Sequence, residues 1–90
     1  MDTDTQRLAV DRNVVASLLR AQREKNGTRQ ADVAEKLGHT QSFVSKYESG
    51  ERRLDLAELR DVCCALGTTL SDFVALYEET LMREEKHESK

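Results

Sequence analysis

Proline and tryptophan are both absent from this 90-residue chain, in which 38% of the residues are hydrophobic and 34% are charged. That balance suits a small helical domain better than a sheet protein rich in turns, and the length suits one modest core. Long apolar runs are missing as well. Nothing approaches the roughly 20 residues that span a bilayer, and no charged-then-apolar leader resembles a signal peptide. A cytoplasmic protein without membrane contact is therefore expected. Cysteine is confined to Cys63 and Cys64. Adjacent cysteines rarely achieve disulfide geometry, and metal ligands need wider spacing, with only His39 and His87 to add. No metal or other cofactor is expected; one thiol should fill a helix face and the other lie at its edge, in a reducing compartment. No Ser/His/acid set or phosphate-cradling glycine loop appears, so neither an enzyme nor a small-molecule site is expected.

What the chain does contain is helical punctuation. Val14, Val15, Leu18 and Leu19 recur at three- and four-residue spacing between Asn13 and Lys25, and Asn26-Gly27 closes that pattern. Ala31, Val33, Ala34 and Leu37 repeat the habit from Gln30 and stop at Gly38, after which Thr40 offers a cap for a third helix to about Ser49. Asp55 to Glu58 reads as an acidic relative of the capping box, opening a helix with Leu56, Leu59, Val62, Cys63 and Leu66 inward and Gly67 at its end. Thr69 followed by Asp72 starts a fifth helix with Leu70, Phe73, Val74, Leu76, Tyr77 and Leu81 as its apolar set. The expected fold is all-α and compact, with five helices. Its domain covers 13–81, between a polar and partly disordered arm (1–12) and a polar charged tail (82–90).

The central helix pair poses a mechanical problem. For one helix to lie in a DNA groove while the other crosses above it, the two must pack closely at a steep angle. A small residue is needed at the crossing, one tolerant of positive φ in the turn, and a branched apolar side chain inside the second helix. Ala34, Gly38 and Val44 meet these needs in order, at positions five, nine and fifteen counted from Gln30. Val33, Leu37 and Tyr47 fill the other buried positions. On a helical wheel Gln41, Ser42, Ser45, Lys46 and Ser49 share the outward side, while Val44, Tyr47 and Glu48 turn back to the body.

Together with "LRAQREKNG", "QSFVSKYESGERRL" and "DLAELRDVCCALG" in the right order and distance, this pattern resembles the helix-turn-helix of the lambda repressor and Cro class, the XRE family, over Leu18 to Leu76. The resemblance implies double-stranded DNA as partner. It implies that Gln30 bonds a phosphate, aided by the helix dipole, and that Gln41 reads a base or supports one that does. Ser42, Ser45, Lys46 and Ser49 are further candidates for base or groove contacts, or plain solvated surface. Phe43 has two readings of equal weight: packing beside Tyr47, or laying its ring on a sugar or a thymine methyl. Arg23 and Glu48 match a family ion pair that orients the recognition helix. Arg52 and Arg53 match phosphate-gripping positions. Two positions depart from the family pattern. Arg29 replaces a Ser or Thr cap, leaving Thr28 as a substitute and freeing Arg29 to approach a phosphate. His39 occupies a usually apolar turn position and reads as a partly exposed turn residue.

A formal net charge of -3 looks unsuited to a polyanion, but the charge is segregated. Arg20 to Arg53 carries eight Lys and Arg against five Asp and Glu, a balance of +3, whereas Leu54 to Lys90 carries four against nine, a balance of -5. Salt screens the acidic end beyond about 10 Å, and the polarity turns that end away from a duplex. Leu70, Val74, Tyr77 and Leu81 then allow two readings: all core, or the seam of a homodimer that sets two recognition helices one DNA turn apart on an inverted repeat. The expected function is a sequence-specific transcriptional repressor. A phage-type repressor, a restriction-modification controller and an antitoxin fit equally. The competing expectation is a module binding a protein partner, such as a toxin, a polymerase subunit or another regulator, with incidental DNA affinity.

Overall fold

A computed structural model describes the backbone of residues 3–88 and the side chains of residues 13–83. Five α-helices follow one another: α1 (Thr3–Lys25), α2 (Gln30–Leu37), α3 (Gln41–Glu48), α4 (Leu56–Ala65) and α5 (Leu70–Glu88). Helix α2 packs on α3 and α4, while α1 lies against α3 and α5, and α4 closes on α5. Leu19, Val33, Ala34, Val44, Tyr47, Val62, Cys63, Leu66 and Phe73 form the buried core, drawing on every helix.

The helix ends follow from side-chain chemistry. Thr40 Oγ1 accepts from the Phe43 amide at 3.2 Å, and Asp55 and Glu58 cap α4 reciprocally, at 2.7 Å and 3.0 Å. Such caps contribute about 1 kcal/mol each by satisfying amides that have no partner within the helix. Gly38 ends α2 at φ 71°, with its amide and that of His39 turned back onto the Glu35 and Ala34 carbonyls. This left-handed residue makes room for only two more before α3 begins. Asn26 Nδ2 donates to the Leu66 carbonyl at 2.7 Å, tying the end of α1 to the end of α4.

Several boundaries differ from expectation. Helix α1 starts at Thr3, not Asn13: residues 3–12 lack an apolar stripe, but they also lack any Gly or Pro to stop a helix, and polarity reports burial rather than helicity. Helix α5 continues past Leu81 to Glu88 for the same reason. The side chains of the expected arm (1–12), and of 84–90 in the expected tail, lie outside the described residues, as do Met1, Asp2, Ser89 and Lys90 altogether. Ser49 is the C-cap of α3 rather than its last helical residue. Thr28 does not take over the cap of α2. Arg29 itself holds the N-cap position, and Asp32 accepts from its amide at 3.3 Å. Leu56, expected inward, is 69% exposed. It shares the stripe of Leu59 and Val62 but is the first residue of α4, in the exposed stretch 55–57, and burial along the stripe begins only at Leu59.

Among the described residues, no helix is long and apolar enough to cross a membrane, and no group of His, Cys, Asp or Glu could hold a metal ion. Cys63 is buried and Cys64 exposed; burial pushes the Cys63 thiol up to about 11.

Candidate nucleic-acid interface

The site is the outer side of α3 with the ends of its neighbours. Val44, Tyr47 and Glu48 are buried, whereas Gln41, Ser42, Ser45, Lys46 and Ser49 are exposed. A short helix with three buried positions has one way to sit, and that fixes which residues point out. Ala34 and Val44 are buried at the contact between α2 and α3.

A chain of hydrogen bonds runs from the interior to this outer face. The Glu48 carboxylate accepts from Arg23 Nε at 2.6 Å and Nη2 at 3.0 Å. Both side chains are nearly sequestered, at 12% exposure for Arg23 and 4% for Glu48. The two-pronged bond to Glu48 raises Arg23 above the ordinary guanidinium range, against the opposing effect of burial. Arg23 Nη1 also donates to the Thr28 carbonyl at 2.8 Å, so one residue of α1 holds both the turn before α2 and the end of α3. Glu48 Oε1 then accepts from Gln30 Nε2 at 3.0 Å, and Gln30 Oε1 lies 3.4 Å from Gln41 Nε2. The side chain of Gln30 is therefore directed at Glu48 and Gln41. The family resemblance implies the ion pair; it does not imply the link through Gln30, which joins the starts of two helices across a turn.

The other candidates divide by exposure. Lys46 and Arg53 are exposed. Arg29 is exposed and lies 3.4 Å from Asp32, a surface pairing of little energetic weight. The Ser49 hydroxyl donates to the Lys46 carbonyl at 3.0 Å. Arg52 is engaged: Nη1 and Nη2 meet Glu58 Oε1 and Oε2 at 3.1 Å and 2.9 Å. Phe43 packs inside a small cluster. Its ring stacks on His39 with centroids 4.0 Å apart, meets Tyr47 edge-on at 5.5 Å, and carries the Arg52 guanidinium 4.7 Å from its centroid. His39, although exposed, is thus a ring-stacking partner. The approach of Glu58 to Arg52 is not legible from the sequence, whose only signal at Glu58 is its cap role.

The arrangement supplies amide and hydroxyl groups on a rigid helix flanked by cations, which is the chemistry of reading base edges between phosphates. Residues 19–73 match the helix-turn-helix family. The chain belongs to the XRE-type helix-turn-helix family. An XRE-family like protein from Pseudomonas syringae pv. tomato str. DC3000 is 34% identical, with 88% of this chain and 98% of that one covered and a TM-score of 0.79. The clp gene regulator ClgR from Corynebacterium glutamicum is 23% identical over 88% of this chain and 84% of that one, with a TM-score of 0.77. The restriction-modification controller protein C.Esp1396I, as a tetramer in complex with its natural 35 base-pair operator, is 19% identical over 80% of this chain and 95% of that one, with a TM-score of 0.75. No curated protein matches the chain in sequence. This member of the XRE-type family is a DNA-binding transcriptional regulator, and the family is not enzymatic.

Proposed function

We propose that this XRE-type regulator is a cytoplasmic repressor that occupies an inverted-repeat operator as a homodimer, with α3 in the major groove. The observation that carries this reading is the hydrogen-bonded path from buried Glu48 through Gln30 to Gln41. One N–H of Gln41 is directed at Gln30, which leaves its other N–H and its carbonyl oxygen for the paired acceptor and donor of adenine. Ser42, Ser45 and Lys46 extend the contact along the groove. Arg29, Lys46 and Arg53 meet phosphates. Because the Gln30 side chain serves Gln41, the phosphate at the start of α2 meets the Gln30 backbone amide at the positive end of the helix.

The dimer rests on α5. Val74 is 40% exposed, and Leu76 and Met82 are exposed too, so the apolar width of this helix exceeds what the core uses. To read an inverted repeat, two copies joined there must set their α3 helices about 34 Å apart, one turn of DNA. The same exposed residues favour the second reading, a surface for a different protein. The C.Esp1396I tetramer bound to its operator supports the first.

The test is competition of one preferred duplex against random DNA at two salt concentrations. The repressor reading requires a preference, an affinity that falls with salt, and a weaker preference in Gln41→Ala. A stable protein complex with no preference among duplexes would favour the second reading. Light scattering that finds a monomer both free and on DNA would remove the dimer.

A further inference from the structure

We propose that Arg52 is a positioning residue for the recognition helix and not a phosphate contact. Its guanidinium sits where three elements meet. Two nitrogens engage both oxygens of Glu58, Nη1 also donates to the Arg53 carbonyl at 3.1 Å, and the planar group covers the Phe43 ring. The Arg52 amide donates to the Lys46 carbonyl at 3.2 Å, so the loop after α3 is folded back on the helix it follows. Glu58 is fixed in turn, since Oε1 accepts from the Asp55 amide as part of the α4 cap.

The consequence is a second attachment of α3, independent of the first. Arg23 grips Glu48 at the C-terminal end of α3 from α1. Arg52, in the loop after α3 and held by Glu58 of α4, covers Phe43 in the first turn of α3, while His39 stacks on the same ring from the turn before. Gln41 and Ser42 directly precede Phe43 in the chain. A ring held by planar neighbours limits rotation of the helix about its axis, and that rotation decides which base edge Gln41 faces. Three of its five N–H groups are already engaged, two by Glu58 in a two-pronged, charge-assisted contact and one by the Arg53 carbonyl, so its planar fork is spent on the protein and only Nε–H and one Nη2–H remain. Lysine offers the charge without the planar fork.

This role rests on the DNA-binding reading, and one set of measurements separates the two. Operator and random-duplex affinities are measured against salt for wild type, Arg52→Lys, Arg52→Gln and Glu58→Gln, with amide hydrogen exchange of α3 in the free proteins to register folding. The expected result is a loss of roughly tenfold in operator affinity for all three variants, comparable to one mismatched base pair. Random-duplex affinity and the salt slope should stay at wild-type values, and α3 should exchange faster. Wild-type operator preference, an Arg52→Lys variant that behaves as wild type and an Arg52→Gln slope reduced by about one would show a phosphate contact and overturn the role. Tighter binding by Glu58→Gln would overturn it too, since Arg52 would then be an idle cation released for DNA. Wild-type protein that prefers no duplex would remove the DNA reading and this role with it.

Discussion

Removing the Glu48 carboxylate should damage both folding and DNA binding, and the structure sets the scale. Glu48→Ala leaves Arg23 nearly buried without its counter-ion, although Arg23 keeps the bond to the Thr28 carbonyl and some solvent contact. Breaking a buried pair by removing one partner costs about 3–5 kcal/mol, and the residual partner puts this case near 3. For a domain of this size each kcal/mol moves the melting temperature by about 4–8 °C, so a fall of roughly 12–24 °C is expected by circular dichroism. The companion variant replaces both partners, Arg23→Met with Glu48→Leu. Apolar replacement of a buried pair is often neutral or stabilising, so most of the lost stability should return. Operator affinity should not return, because Gln30 has lost the acceptor that aims it at Gln41. A Glu48→Ala protein that melts with wild type, or a double variant that regains operator affinity along with stability, would refute the orienting role of the pair.

Three further predictions follow from single contacts. Gly50→Ala should destabilise by about 1–2 kcal/mol in urea titration, because φ is 84° and the added Cβ would lie 3.0 Å from Asn13 Oδ1. Tyr47→Phe should leave stability unchanged or raise it by up to about 1 kcal/mol, since the Tyr47 hydroxyl is buried without a hydrogen-bond partner; a large loss in the melt would show a partner there. Arg52, and then the Asp55 amide, hold the Glu58 carboxyl below its ordinary value. That stabilisation is fully present above the unfolded value of about 4.3 and is lost as pH falls through the lower folded value. The gap in melting temperature between wild type and Glu58→Gln should therefore be steady at neutral pH and close below about pH 4, and a gap that survives at pH 2 would contradict the assignment.

How far the sequence discloses this molecule depends on the range over which each contact acts. Thr40, Asp55 with Glu58, and Gly38 punctuate helices within three or four residues, so their roles are readable from spacing alone. Ala34, Gly38 and Val44 are readable because close packing of two helices restricts residue type at fixed positions. A helical wheel, by contrast, gives a direction but not the extent of the neighbour being faced. It assigns Leu56 to the core stripe without showing that the side chain at the very start of α4 stays exposed. It also leaves Val74 undecided between core and partner. Charge counting treats Arg23 and Arg52 alike, yet one is buried against Glu48 and the other clasps Glu58 across a loop. Phe43 could not be placed from sequence because its partners, His39 and Arg52, lie on either side of it in segments whose relative position only the fold defines.

Selection of bound duplexes from a random pool tests the central claim most directly, with wild type and Gln41→Ala carried in parallel. Wild type should enrich one inverted repeat with half-site centres about one helical turn apart, and the variant should lose preference at one symmetric pair of positions. A wild-type pool that remains random, or a variant that selects the same repeat unchanged, would contradict the account of α3 as the reading helix.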